Sequence, residues 1–448
     1  MQHILVLGAG KSATVLIDYL LDNAAEYQWT VTIGDLDEDL AKQKIKAHPQ
    51  GNAVYFNADD AALCQKLIGE SDIVVSLLPA FVHPVVAKIC VALGKHFVSA
   101  SYVSDAMRAL HNEAVSKGLI LMNEMGLDPG IDHMSAMKII DHVRNMGAEI
   151  TGFRSYTGGL VAPESDNNPW NYKFTWNPRN VVLAGQGTAK FLSNHRDKYI
   201  PYHRLFASYD IMDVPGYGKF EGYANRDSLA YRSVYGLEHT GTIIRGTLRK
   251  QGFCDAWNVF VQLGMTDDTY HLEEAHKHNW SDFTDAFIPS GAGSVRERLQ
   301  QYLAIDNEQI MHKLDWLGLF DNKAIFTQIP ARTFTPAQLL QILLESKLSL
   351  DAGDKDMCVM LHVMDYSLHG RAYSLQSSMV AIGQDEVYTA MAKTVGLPAA
   401  IAVKHILSGT WQHTGVVTPV HSDIYTPVLQ ELADTFNIQF VETLQELV

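Results

Sequence analysis

The sequence predicts an α/β protein, a doubly wound parallel sheet followed by a region with a mixed or antiparallel sheet. Three observations predict it. A short apolar strand runs into a glycine-rich turn and a helix, and strand-like and helix-like patterns then alternate as far as Asn123. Beyond Gly130 the pattern changes to strands that alternate apolar and polar residues.

The first unit is Ile4–Leu7 as a strand, Gly8-Ala9-Gly10-Lys11-Ser12-Ala13 as a turn, Thr14–Leu21 as a helix and Val31-Thr32-Ile33 as a strand reaching Asp35. In this G-x-G-x-x-A spacing Gly8 permits the tight turn and Gly10 lets backbone amides reach a pyrophosphate. Ala13 lets the helix pack closely on the strand, and the pyrophosphate meets the positive end of the helix dipole. A carboxylate at Asp35 accepts ribose hydroxyls and repels a 2′-phosphate, which predicts NAD as the cofactor, with NADP as the alternative. Gly10-Lys11-Ser12 resembles the end of a phosphate-loop motif, but that motif requires glycine where Leu5 stands, so an NTPase is excluded.

Ile73–Leu77 reads as a strand buried on both faces. It runs into Leu77-Leu78-Pro79 at the carboxyl edge, where open α/β sheets bind ligands. His96–Ser99 and Ile120–Asn123 read as further strands, each after a helical segment. Glu149–Tyr156, Tyr217–Tyr223 and Thr242–Leu248 alternate as half-buried strands do, and the aromatic-rich loop from Gly158 to Pro178 reads as an ordered functional loop. Ser281–Leu350 reads as helical, with Asp282, Ser294 and Thr335-Pro336 as starts. Val380–Leu407 reads as two helices broken at Gly396-Leu397-Pro398.

With 448 residues, 47% of them hydrophobic, the chain has ample material for two or three cores. A formal charge of −15, from 35 basic and 50 acidic residues, opposes nucleic acid and anionic membrane as partners. The apolar stretch Ile73–Leu93 is broken by Pro79, His83, Pro84 and Lys88, and reads as strand, loop and helix rather than a membrane span. Cys64, Cys90, Cys254 and Cys358 are widely spaced and read as reduced structural thiols. No basic segment precedes the first apolar run, and the two features together predict a cytoplasmic protein.

Ser101-Tyr102, Asn123-Glu124 and Asp128 follow strand ends, where a nicotinamide and its substrate would meet. Asp128 also reads as a cap for the helix starting near Ile131. Arg226 and Arg249 lie near strand ends and can fork onto carboxylates. No metal site is predicted: His271 and His276 are five apart, where a zinc-binding helix needs four, and the other histidines are scattered and read as structural.

The run Asn123-Glu124-Met125-Gly126-Leu127-Asp128-Pro129-Gly130-Ile131-Asp132-His133 resembles the N-E-x-G-L-D-P-G-I-D-H signature of saccharopine dehydrogenases. Ser101-Tyr102-Val103-Ser104, Gly158–Glu164, Tyr172–Trp176, Asn225-Arg226-Asp227, Arg245–Arg249 and Met391–Pro398 continue the likeness in collinear order. It is strongest to the glutamate-forming branch. The resemblance implies a Rossmann domain from 1–124 and 394–448, a substrate and dimerisation domain from 125–265 and 351–393, and a helical insertion at 266–350. It implies a homodimer acting on saccharopine, which is interconverted with aminoadipate semialdehyde plus glutamate. Carried over by position, Ser101, Tyr102, Asp128, Arg226, Thr247, Leu248 and Arg249 contact substrate, with Tyr102 and Asp128 as proton-handling groups. Gly8, Gly10, Lys11, Ser12, Ala13, Asp35, Leu36, Leu77, Leu78, Pro79, Gly126, Leu127 and Trp176 contact the cofactor. One departure stands out: fungal members that use NADP place Cys-Arg where this chain has Gly34-Asp35. Two other readings share the plan, a carboxynorspermidine-type dehydrogenase and a non-enzymatic NAD sensor.

Overall fold

The structure is a computed structural model that describes residues 1–274, 277–323, 325 and 333–447. His276 therefore lies outside the described residues. The chain forms two compact units, one from Met1–Ile150, Tyr366–Tyr373 and Met379–Val448, the other from Thr151–Asp365 and Ser374–Ser378.

The first unit is built on β1 (Gln2–Leu7), β2 (Trp29–Asp35), β3 (Gly51–Tyr55), β4 (Ile73–Ser76), β5 (His96–Ser99) and β6 (Ile120–Met122). They stand in the order β3-β2-β1-β4-β5-β6, and Gly415–Val417 adds a seventh strand beside β6. All pairings are parallel. The order reverses between β1 and β4, the switch point at which such sheets open a ligand crevice. β1 and β4 are buried on both faces, Ile4 through Leu7 and Ile73 through Val75 having no exposed surface, which is why both read as unbroken apolar runs.

The stretch 380–407 differs from its reading. Arg371–Ile382 is a strand, and Ala390–Leu407 is one continuous helix that carries Pro398 inside it. Gly396 serves close approach instead of breakage: a methyl there would come within 3.1 Å of the Leu16 backbone nitrogen and 3.3 Å of the Ser12 carbonyl oxygen. The helix thereby packs directly on the helix Thr14–Asp22 that follows the glycine turn. It is also long and apolar enough to cross a membrane, but 72% of it is buried inside the protein.

The compact units also divide differently from the expected boundaries. Residues 125–150 group with the first unit, since the helix Ile131–Asn145 packs on the helix Ser422–Phe436, where the Tyr425 hydroxyl donates to Asp141 Oδ2 at 2.8 Å. Residues 379–393 group there too, while 266–350 falls within the second unit.

The second unit holds most of a mixed sheet, with neighbouring strands Tyr209–Val214, Gly218–Ala224, Thr242–Lys250, Glu149–Val161 and Asp356–Leu368. The first three pair antiparallel, and Thr242–Lys250 runs parallel to Glu149–Val161. The aromatic loop is ordered around Trp170, which is fully buried, stacks on Phe260 at 5.7 Å and donates from Nε1 to the Lys313 carbonyl at 2.9 Å. Capping boxes start three helices, at Asn279 with Asp282, Ser294 with Glu297 and Thr335 with Gln338. Asp282 is thus the third helical residue, with Asn279 as the cap.

Candidate functional site

In the first unit the glycine turn and the loop after β4 meet at the switch point. Gly8 has φ +101°, and a side chain there would lie 3.2 Å from the Leu77 carbonyl oxygen, so only glycine allows the two loops to touch. Leu77 is tied in by its N–H donating to the Leu7 carbonyl at 2.8 Å, and the Pro79 carbonyl accepts from Val82 at 2.9 Å. Leu78 is half-buried beside them. A methyl on Gly10 would meet nothing within 4 Å.

The single turn Lys11–Ala13 and the helix Thr14–Asp22 have no side-chain cap. Ala13 N–H bonds back to the Gly10 carbonyl at 3.0 Å, whereas the N–H groups of Gly10, Lys11 and Ser12 have no acceptor among the described residues. Free amides at the positive end of a helix over an open cradle are the fit a pyrophosphate requires. Asp35, at the tip of β2, is half-buried. It accepts the Ala9 N–H on Oδ2 at 2.7 Å and the Asp37 N–H on Oδ1 at 2.9 Å. The next side chain, Leu36, is 67% exposed.

The loops after β5 and β6 form a second cluster in this unit. The Tyr102 hydroxyl donates to Asp128 Oδ1 at 2.6 Å. Asp128 does not cap the following helix, whose N-cap is Gly130 without a side-chain bond; instead Asp132 Oδ1 accepts the Gly130 N–H at 2.6 Å. The Asp128–Pro129 peptide is cis. Gly126 and Leu127 are buried inside this turn, their carbonyls accepting from Ile131 at 2.8 Å and Asp132 at 3.0 Å.

Glu124, held at φ +60°, accepts the Val103 N–H on Oε1 at 2.9 Å, and its Oε2 lies 2.8 Å from His133 Nε2. Asp132 Oδ2 lies 3.6 Å from Nδ1 of the same ring. All three side chains are at most 10% exposed. Glu124 therefore ties the loop carrying Tyr102 to the loop carrying Asp128. A scattered-histidine reading missed this role, although His133 lies inside the signature run.

His83 is the other residue it missed. Its ring bridges Ser76 Oγ (2.9 Å from Nδ1) and Ser101 Oγ (2.8 Å from Nε2). Burial pushes its pKa down from 6.5 to about 4. Protonation consequently favours the unfolded chain, so the His83 contribution is complete above pH 6.5 and is lost as pH falls through 6.5 towards 4. Denaturant titrations should show the wild type losing about 3 kcal/mol more across that window than His83→Gln; equal losses would refute the assignment.

In the second unit Thr247 and Arg249 alternate onto one face of the strand Thr242–Lys250, while Leu248 points to the other. Arg249 is 4% exposed, lies 5.4 Å from the Tyr172 ring centre and 5.3 Å from that of Phe253, and donates from Nη1 to the Leu248 carbonyl at 2.9 Å. Its Nε has no hydrogen-bond partner among the described residues. The residue opposite on the neighbouring strand, Glu221, is committed elsewhere, accepting from Gly252 N–H at 2.5 Å and Cys254 N–H at 2.8 Å at a helix start.

Burial pushes the Tyr223 phenol, beside Arg249, up to about 12, and raises Tyr172 as well. Trp176, half-buried, adjoins the Tyr172 hydroxyl. Asn225 Nδ2 donates to Thr247 Oγ1 at 2.9 Å, and the next residue, Arg226, is exposed at φ +48°, with its carbonyl accepting from Lys190 N–H at 2.8 Å. Lys173 belongs to a structural ion group with Asp351, at 3.0 Å, and Asp354.

A parallel sheet of this strand order, with unclaimed amides at its reversal, places the protein among dinucleotide-binding folds. Residues 4–122 match the family described as saccharopine dehydrogenase NADP binding domain, and residues 126–438 match the saccharopine dehydrogenase C-terminal domain. The chain belongs to the saccharopine dehydrogenase family.

It is 34% identical over 445 residues to saccharopine dehydrogenase [NADP(+), L-glutamate-forming] of Schizosaccharomyces pombe, covering 97% of each chain. It is also 34% identical to the mitochondrial alpha-aminoadipic semialdehyde synthase of Mus musculus, covering 96% of this chain and 46% of that one. Apo saccharopine dehydrogenase (L-Glu forming) from Saccharomyces cerevisiae superposes with a TM-score of 0.89 at 33% identity, over 99% of this chain and 100% of that one.

Proposed function

We propose that the protein interconverts saccharopine with aminoadipate semialdehyde plus glutamate. The observation that carries this reading is Arg249, a buried guanidinium with no carboxylate partner among the described residues. A lone buried charge is costly until something pairs with it, and a substrate carboxylate is such a partner. The relatives' names support saccharopine as the substrate. In this reading Arg226 takes another carboxylate, and Ser101, Thr247 and the Leu248 main chain complete the substrate contacts. Gly126, Leu127 and Trp176 join the residues of the glycine turn, β2 tip and β4 loop in holding the cofactor.

When bound, the nicotinamide supplies the hydride acceptor for saccharopine oxidation and the donor for the reverse. The protein's own task is orientation and proton handling. Asp128, with one oxygen held by the Tyr102 hydroxyl, takes the proton from the substrate nitrogen as hydride leaves the neighbouring carbon. Water then splits the resulting imine into aldehyde and amine. Saccharopine-dependent appearance of reduced nicotinamide absorbance tests the reading; no change with either cofactor refutes it. The proposal includes a homodimer and a cytoplasmic location, the latter supported by four buried cysteines in thiol form.

For the cofactor, Asp35 supports NAD and the relatives' names support NADP. We propose that the Asp35 charge is the discriminating group. Asp35→Asn keeps an acceptor for the Ala9 N–H but removes the negative charge. It is expected to raise kcat/KM for NADP relative to NAD by about tenfold, the scale of one like-charge contact near a protein surface. An unchanged ratio means the ribose is read elsewhere.

A further inference from the structure

Ser76 ends β4, His83 opens the helix His83–Leu93, and Ser101 follows β5. The three side chains form a line running from the buried end of β4 to the half-exposed loop after β5. Ser76 is fully buried and His83 nearly so, while Ser101 is half-exposed. Among the described residues neither hydroxyl has a partner other than the imidazole.

A neutral imidazole donates through one nitrogen and accepts at the other. If Nδ1 carried the proton, Ser76 would accept it, and the buried Ser76 O–H would have nothing to receive it. That arrangement leaves a donor unsatisfied in the core. With the proton on Nε2, Ser76 donates to Nδ1, and Nε2–H donates to the Ser101 oxygen. The Ser101 proton must then point away from the ring.

We propose that His83 is a positioning residue whose Nε2–H tautomer, fixed by Ser76, makes Ser101 an obligate hydrogen-bond donor to a carboxylate of the substrate. The depressed basicity of the ring keeps it neutral at physiological pH, and the edge of Phe97, 6.1 Å away between centres, packs against it. Each bond in the series Ser76, His83, Ser101, carboxylate points the same way, so each polarises the next. No proton changes owner along it. The same serine with a freely chosen tautomer could instead accept a hydrogen bond and would not discriminate for an anion.

The kinetic arm of the test rests on the proposed function; the spectroscopic arm does not. His83→Phe and Ser101→Ala should each raise KM for saccharopine about tenfold, the scale of one hydrogen bond to a charged group, with KM for the nicotinamide unchanged. The double variant should be no worse than Ser101→Ala alone. His83→Gln, which returns an N–H donor near the Nε2 position, should recover most of the loss. If His83→Phe costs the same factor in the Ser101→Ala background, the histidine acts independently of the serine and the proposal fails. In the wild-type protein labelled with ¹⁵N in its histidine rings, the His83 signals, identified by their loss in His83→Gln, should show the neutral Nε2–H pattern. An Nδ1–H pattern overturns the proposal even where a kinetic variant does not fold. A wild type inert towards saccharopine would refute the proposed function and leave the tautomer result to stand or fall alone.

Discussion

Arg249→Met is expected to lower kcat/KM for saccharopine by roughly 10²–10⁴-fold and, at the same time, to raise the melting temperature. Two charge-assisted hydrogen bonds from one guanidinium to a carboxylate account for a loss of that size, at about 1.5–3 kcal/mol each. The opposite sign in stability follows from burial. Arg249 is 4% exposed, has an orphaned Nε, and faces Tyr172, Tyr223 and Phe253, while the carboxylate across the strand pair is taken by a helix start. A flexible apolar side chain of similar length relieves that penalty by about 1–4 kcal/mol. Steady-state kinetics and a thermal melt on one preparation check both signs. A variant less stable than wild type would mean that the guanidinium is structural.

Gly130→Ala is expected to cost more than about 3 kcal/mol, with a fall in Tm on the order of 10 °C and loss of turnover. Gly130 has φ +147°, a region closed to other residues, and a methyl there would lie 2.0 Å from the Gly126 carbonyl oxygen and 2.3 Å from its nitrogen. The clash is with backbone, so no side-chain rotation relieves it. The turn must open, which displaces Asp128 from the Tyr102 hydroxyl and Asp132 from its bond to the Gly130 N–H. Chemical denaturation together with activity measures both effects; a wild-type melt would show that the turn tolerates another conformation.

The legible parts of the sequence are those whose physics is local. β1 and β4 are buried on both faces, so their apolar runs announce them, and the glycine turn is fixed by spacing. β3 is an edge strand of mixed exposure whose residues carry no alternation, and no strand is read there. Ala390–Leu407 misleads because glycine and proline usually end helices. Here Gly396 is demanded by contact with Leu16 and Ser12, which are nearly 400 residues away in the chain.

The site divides the same way. The signature run and the arginine positions are legible through resemblance. Whether Asp128 caps a helix or faces Tyr102 depends on a bond between residues 26 apart. His83 looks like any lone histidine until its two serines are brought to it from the end of β4 and the loop after β5.

The strand Gly415–Val417 lies beside β6 and completes the sheet. During synthesis, some 290 residues of the second unit and its flanks must leave the ribosome before that last strand is available, tens of seconds at ordinary elongation rates. Throughout that interval the nascent chain carries an open sheet edge at Ile120–Met122, the kind of surface that invites aggregation or chaperone capture.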